Sequence, residues 1–434
     1  MEAAEAEEGT MRLSEQTRAA LPATVRQPAY DRAATTHGIV HLGVGWLGFL
    51  LPNQPMGDVY GVYEPWSSQA LVGDGIVGID SDWVYPQLAI IPIVLAHAFS
   101  PIAGYTIGWA ILVSLMDAVA FAMLVGRARS TGRCTAAWFW LAYIALLGPV
   151  GLYRLDGFTV PLGIIGCLWL VGRPWAASVV LAVATWIKVW PAALLAAAVF
   201  AVRRRGAIIG GALAVTACTV IVVVAAGGGS HLLGFVGEQT TRGLQVEAPV
   251  ATWYLWGALL GIPGFQVYYS PEIRTFQITG ADIDPVIAAM TPILAVAMVG
   301  VAVLGAVQAW RGARFASLFP ALSLAFVLGF IVFNKVGSPQ YLAWLIPSIV
   351  LGLVISRGAW ALPAAAALAM ALLTQLVYPV LYNGILYPES IAVTVLTLRN
   401  LALVAMFVWM VVRLVRLPVA PRQDAEVGAA VASA

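Results

Sequence analysis

Long apolar runs separated by short polar stretches make up most of this chain, and their lengths indicate what they form. A helix that crosses a bilayer needs about 20 apolar residues. Runs of that kind cover 35–53, 102–126, 134–152, 158–172, 207–226, 286–310, 316–334, 340–356, 359–380 and 391–412, and each predicts a spanning helix. Two further stretches are ambiguous by length alone. One is 85–99, "YPQLAIIPIVLAHAF"; the other is 175–202, "WAASVVLAVATWIKVWPAALLAAAVFAV", which carries Lys188 near its middle.

The bias of Lys and Arg toward the cytoplasmic side of membranes decides both. If 85–99 crossed, Arg127, Arg129 and Arg133 would lie outside, so this stretch is expected only to dip into the outer interface. A single span over 175–202 would separate Arg173 from the Arg203-Arg204-Arg205 cluster. Two short helices breaking at "KVWP" keep all four inside and bring Lys188 to the far interface. Pro191 favours the break, because the residue before a proline avoids helical geometry. The result is an all-α polytopic membrane protein with about 12 transmembrane helices and both termini cytoplasmic. On this threading 17 of 21 arginines are cytoplasmic and 12 of 21 acids external. Residues 1–34 lack the apolar core of a secretory signal and read as a disordered cytoplasmic tail, with Met11 an alternative start; 413–434 reads as a second tail. External loops occupy 54–101 and 227–285, between a membrane module over 35–226 and the C-terminal spans over 286–412.

Composition agrees with this class: 61% of residues are hydrophobic and 10% charged, against about 25% charged in soluble domains. Cys134, Cys167 and Cys218 each lie in an apolar run with no metal or disulfide spacing, and are read as small hydrophobes within helices. Most of the 16 tryptophans fit an interfacial belt. Trp66 and Trp83 instead lie in the first external loop, where they can anchor it among headgroups and shape a groove for a lipid chain.

That loop holds five carboxylates between Gly57 and Leu88, and the chain has no Lys or Arg between Arg32 and Arg127. Asp58 is either a solvated loop acid or a general base that takes a proton from an attacking hydroxyl. Glu64 is a surface acid or a group that steers the acceptor. Asp80 and Asp82 precede "WVYP", and at least one is expected to cap a helix. Lys188 and Lys335 are the chain's two lysines, both beside helix breakers ("KVWP", "NKVGSP"). They either snorkel or serve as phosphate-binding point charges. Arg154 and Asp156, in "GLYRLDGF", form a local ion pair or contact phosphate or sugar. Glu238, Arg242, Gln245 and Glu247 fall within ten residues, as a solvated helix or as donors and acceptors for sugar hydroxyls. Ionisable groups at membrane depth need a reason, so Asp117 is expected to pair with Arg399, beside Asn400. His37 and His41 have i, i+4 metal spacing but no acidic partner nearby in the chain, and no metal site is expected.

A first span, an external "D-x-Y" with further aromatics, and a "YPxL" element leading an apolar dip resemble the start of polyprenol-phosphate-sugar-dependent membrane glycosyltransferases of the GT-C type. Within these the chain is most similar to glycosyltransferase family 87, which includes the α-1,2-mannosyltransferases of phosphatidylinositol mannosides and lipomannan. Here the usual "YPPL" is "VYPQL" (Val84 to Leu88), which places Tyr85 among the substrate contacts; "KVWP" and "RGLQ" also match the family's pattern. The motifs span roughly residues 35–260. The resemblance implies a GT-C fold with amphipathic juxtamembrane helices in the first external loop and a catalytic aspartate there, matched by Asp58. That aspartate is expected to be unpaired. It further implies an inverting transfer of a sugar, with mannose expected, from polyprenyl-phosphate-mannose to a glycolipid or lipoglycan acceptor on the outer face of the plasma membrane. Lys188, Lys335, Arg154 and Arg242 would meet the phosphate, and Glu64 or Glu247 the acceptor sugars. No nucleotide sugar, cofactor or nucleic acid is expected. A transporter or flippase would place its charges near the midplane on broken helices, and a polymerase or ligase would have arginine-rich external loops.

Overall fold

The computed structural model describes residues 23–126, 130–240 and 242–418. Arg127 and Arg129, with residues 1–22 and 419–434 of the expected tails, lie outside the described residues. All ten apolar runs read as spans fold as helices. The principal ones are α1 (Ala23–Leu50), α2 (Tyr105–Val125), α3 (Thr131–Leu147), α4 (Asp156–Trp169), α5 (Pro174–Ile187), α6 (Ala192–Ala201), α7 (Arg205–Ala225), α8 (Ile283–Trp310), α9 (Phe315–Val332), α10 (Leu345–Ile355), α11 (Arg357–Gln375) and α12 (Ser390–Val415). Six of them are long and apolar enough to cross a membrane: α2, α7, α8, α9, α11 with its extension to Val380, and α12. At 1.5 Å per residue, α2 is about 30 Å long, which matches a hydrocarbon core. The chain is therefore a multi-pass, predominantly helical membrane protein.

α9 is central and α8 peripheral. Fourteen of the 18 residues of α9 are buried, against α6, α8, α10 and α12. Only five of 28 are buried in α8, whose Val296, Val299 and Val303 face outward. Both helices are apolar all round, because lipid and protein interior are equally hospitable to Val and Leu.

The two ambiguous stretches are short helical pieces. Residues 87–103 form 3₁₀ and α turns, with Pro92 and Pro101 in their course and an end at Gly104, where φ is 87°. The break between α5 and α6 falls at Lys188–Pro191, where Lys188 is extended (φ −153°, ψ 136°). Several boundaries differ from expectation by a few residues, and two of them extend helices into expected tails. Residues 23–34, read as disordered tail, are the first turns of α1, and α12 continues to Val415, beyond the expected end at 412.

The second loop contains a hairpin that the apolar-run reading missed. Strands β1 (Gln266–Ser270) and β2 (Thr275–Thr279) pair antiparallel, with Gln266 opposite Thr279 and Ser270 opposite Thr275. "QVYYS" and "TFQIT" are rich in residues that favour strands. An isolated hairpin is marginal; here residues 244–246 run beside β2. The Ile278 amide donates to Leu244 O at 3.0 Å and the Val246 amide to Phe276 O at 3.3 Å.

Candidate functional site

The loops that leave α1, α5, α9 and α11 converge with the second loop around a cavity of about 950 Å³. Asp58, Tyr85, Arg154, Lys188, Arg242, Gln245 and Lys335 all line it. Sequence reasoning missed several walls: Arg274 on the hairpin turn, Trp190, Tyr341 and Trp344, and Tyr378 and Tyr382. These come from segments read as span ends or as polar loop, and no local pattern links them to Asp58.

Asp58 precedes a π-helical turn, Val59–Tyr63. The Tyr63 hydroxyl accepts a hydrogen bond from the Leu155 amide at 3.2 Å. The Tyr63 ring packs on Trp109, whose indole N–H donates to Tyr153 O at 2.9 Å. This scaffold draws the 148–155 turn against the first loop, so that the Arg154 guanidinium forms a salt bridge with the Asp58 carboxylate. The expectation of an unpaired Asp58 is thus corrected: the cation comes from a turn about a hundred residues away in sequence. Even so, the Asp58 side chain stays 34% exposed toward the cavity, while Arg154 is 8% exposed. At the other end of the same loop, Asn53 donates to Pro379 O at 2.8 Å and the Tyr378 hydroxyl to Asn53 O at 2.9 Å.

Nor do Arg154 and Asp156 pair locally. Asp156, fully buried at the start of α4, accepts from Lys188 Nζ at 2.5 Å and from the Trp344 indole N–H at 2.5 Å. Lys188 also lies over the rings of Tyr85, Tyr341 and Trp344, 5.6 to 6.0 Å from their centroids. Trp190 and Trp344 stack at 5.8 Å. Asp156 therefore sits behind the cavity wall, holding Lys188 in an aromatic frame, and does not touch the cavity.

The second loop closes the other side. The Gln245 amide donates to Lys335 O at 3.0 Å. A Cβ on Gly337 would stand 2.2 Å from the Ala248 backbone nitrogen, so only glycine lets "NKVGSP" lie this close to the second loop. Burial pulls the Lys335 ammonium below its ordinary range. Arg274 Nη1 donates to Gly61 O at 3.3 Å, and His231 meets Asp82 at 2.8 Å; both contacts join the two loops. The Nε atoms of Arg154 and Arg242 are buried in the cavity wall without a hydrogen-bond partner among the described residues. An unpaired buried donor is costly, and both of these arginines line the same cavity. Trp66, Trp83 and Tyr85 pack edge to face in the adjoining wall.

Four other expectations are corrected. Glu64, at the start of the short helix Glu64–Val72, is not among the residues that line the cavity, although Val62 and Trp66 on either side of it are. Glu247 is buried and bonded to Arg399, side chain to side chain at 3.3 Å and through its backbone carbonyl at 3.0 Å; it is not an open sugar contact. Burial pushes its carboxyl up to about 7, against the pull of Arg399. Arg399 therefore does not pair with Asp117, which instead meets both His37 and His41. Neither Asp80 nor Asp82 caps a helix: Asp80 accepts from the Ile76 amide within its own turn at 2.6 Å, and Asp82 takes His231. Cys134, Cys167 and Cys218 are free thiols. Asn400 donates to Thr252 at 2.8 Å.

The site thus combines a part-exposed carboxylate, several cations, two of them with unsatisfied donors, and broad aromatic walls at one end of a lipid-facing bundle. Known family models, characterised proteins and solved structures yield no match to this chain.

Proposed function

We propose that this chain is an inverting glycosyltransferase of the GT-C type. It moves mannose from polyprenyl-phosphate-mannose to a glycolipid or lipoglycan acceptor, forming an α-1,2 linkage on the outer face of the plasma membrane. This reading takes the twelve-span threading drawn from the arginine distribution, with both termini in the cytoplasm, and the cavity on the opposite face. The observation that carries this reading is that Asp58 shares one cavity with Arg154, Arg242 and Lys335.

In this mechanism the prenyl chain reaches the cavity from the bilayer and its phosphate meets Arg242 and Lys335. Arg154 holds one face of the Asp58 carboxylate, fixing its orientation. The acceptor hydroxyl gives its proton to Asp58 as its oxygen bonds to the anomeric carbon. The bond from that carbon to the phosphate oxygen breaks, and its electron pair leaves on polyprenyl phosphate. Cations already in place stabilise that charge as it develops, without the reorganisation water would need. Tyr85, Trp66 and Trp83 offer flat apolar faces to the sugar or the first prenyl units. Lys188, anchored on Asp156, adds positive potential to the wall and need not touch the phosphate.

Membranes carrying wild type or Asp58→Asn, incubated with radiolabelled polyprenyl-phosphate-mannose and a mannosylated lipid extract, test this. Label should pass to the acceptor with wild type and not with a normally expressed variant. Undiminished transfer by Asp58→Asn would remove Asp58 as the base. Silence of wild type across mannosyl, glucosyl, galactosyl and arabinosyl donors would reject the transferase.

A further inference from the structure

Away from the cavity, α1 and α2 bring together three metal-ligating side chains. His37 and His41 lie one turn apart on the same face of α1, and Asp117 projects from α2. All three are more than nine-tenths buried, at 8%, 5% and 2% exposure. Asp117 Oδ2 is 2.8 Å from His41 Nε2 and 3.4 Å from His37 Nε2, and one donor atom from each residue falls within a common span of 4.8 Å.

The hydrogen bonding leaves one buried nitrogen of the cluster unserved. A neutral imidazole has one N–H and one lone pair. His41 Nδ1 lies 2.8 Å from His37 O and its Nε2 faces Asp117, so both nitrogens meet acceptors. His37 Nε2 is buried, 3.4 Å from Asp117 Oδ2 but with no aligned hydrogen bond among the described residues, and the two rings stack at 3.9 Å. A single carboxylate thus faces two stacked imidazoles, and the three side chains converge on one point.

We propose that His37, His41 and Asp117 bind a divalent transition-metal ion of the zinc type, which fastens α1 to α2. The Nδ1–H of His41 then donates to the His37 carbonyl and its Nε2 lone pair goes to the ion, the orientation that outer partners impose on metal-bound histidine. Tetrahedral bonds of about 2.0–2.1 Å place ligand atoms about 3.4 Å apart; the His37–Asp117 separation already has this value. The His41–Asp117 separation needs to open by about half an ångström. Two imidazoles and one carboxylate suit zinc and not the oxygen-seeking magnesium or calcium. A fourth position is left to water or an exogenous ligand. The Tyr153 hydroxyl donates to His41 O at 3.2 Å, so the clip also braces the turn that carries Arg154. The proposal stands whether or not the chain transfers sugar.

The test uses the full chain, purified in detergent without a histidine tag and stripped with chelator. Cobalt(II) added to it should give visible d–d absorption that saturates near about one equivalent and is displaced by zinc. His37→Gln and Asp117→Asn should each weaken cobalt binding by about 100-fold or more, while His97→Gln and His231→Gln leave it unchanged. No saturable band in wild type, or a band that survives both Asp117→Asn and the His37→Gln/His41→Gln pair, overturns the site. Should those variants fail to fold, X-ray absorption of the zinc-loaded wild type decides alone. A shell of two imidazoles with oxygen supports the proposal, and a sulfur or all-oxygen shell overturns it.

Discussion

Two carboxylate–cation pairs meet along the turn before α4, and they are built for different ends. Asp58 and Arg154 face the cavity, with a third of the Asp58 side chain exposed. Asp156 and Lys188, just behind, have a carboxylate with no exposure and both oxygens engaged, one by Lys188 and one by Trp344. The first pair leaves a carboxylate edge available to a substrate proton, whereas the second commits both carboxylate oxygens to its own partners. Residue type does not separate them; the difference lies in what covers each.

Substitution should split the pairs by readout. The largest effect is expected from Asp58→Asn: transfer falls by about 10²–10⁴-fold, with the melting temperature close to wild type. Equal loss of stability would make Asp58 a structural residue like Asp156. Next, Asp156→Ala strands the Lys188 ammonium against the aromatic frame, costing about 3–5 kcal/mol of stability. A clear drop in melting temperature would register it, and an Asp156→Leu/Lys188→Met double variant should recover part of that drop. Smaller again is Arg242→Gln, which removes a charge-assisted contact worth about 1.5–3 kcal/mol. It should raise the KM for the donor and barely move that for the acceptor; an unchanged donor KM would take Arg242 off the phosphate.

The last readout is a pH slope at Glu247, whose buried carboxyl is pushed up to about 7 from 4.5. Native protein then holds this proton more tightly than unfolded chain does. The resulting stability is complete below about pH 4.5 and is lost as pH rises through about 7. Melting temperatures of wild type should fall modestly across that window, and Glu247→Gln should flatten the trend. An unaltered slope in the variant would assign the pH dependence to other groups.

Much of the helical frame was legible because a membrane span announces itself by length, and because charge fixes where an ambiguous run breaks. "KVWP" breaks where proline chemistry and the arginine distribution required. Strand signals are also present in "QVYYS" and "TFQIT", but five-residue strands leave no long apolar run. The cavity was legible only in part. Asp58, Arg154, Lys188, Arg242 and Lys335 stood out as charges in an oily chain, yet their partners did not. Arg399 was matched to Asp117 because both lie at membrane depth; depth says nothing about which helices adjoin.

By itself, then, the sequence determined a multi-pass helical protein and named the charged residues that need explaining. It did so because hydrophobic length and the cost of burying charge are local, additive properties of a segment. Only the tertiary structure decided that Arg154 reaches Asp58, that Lys188 belongs to Asp156, that Glu247 answers Arg399, and that Asp117 joins two histidines. Lipid and protein interior solvate apolar side chains alike, so the faces of these helices carry little sequence record of their neighbours. Which charge meets which is set by packing between segments far apart in the chain.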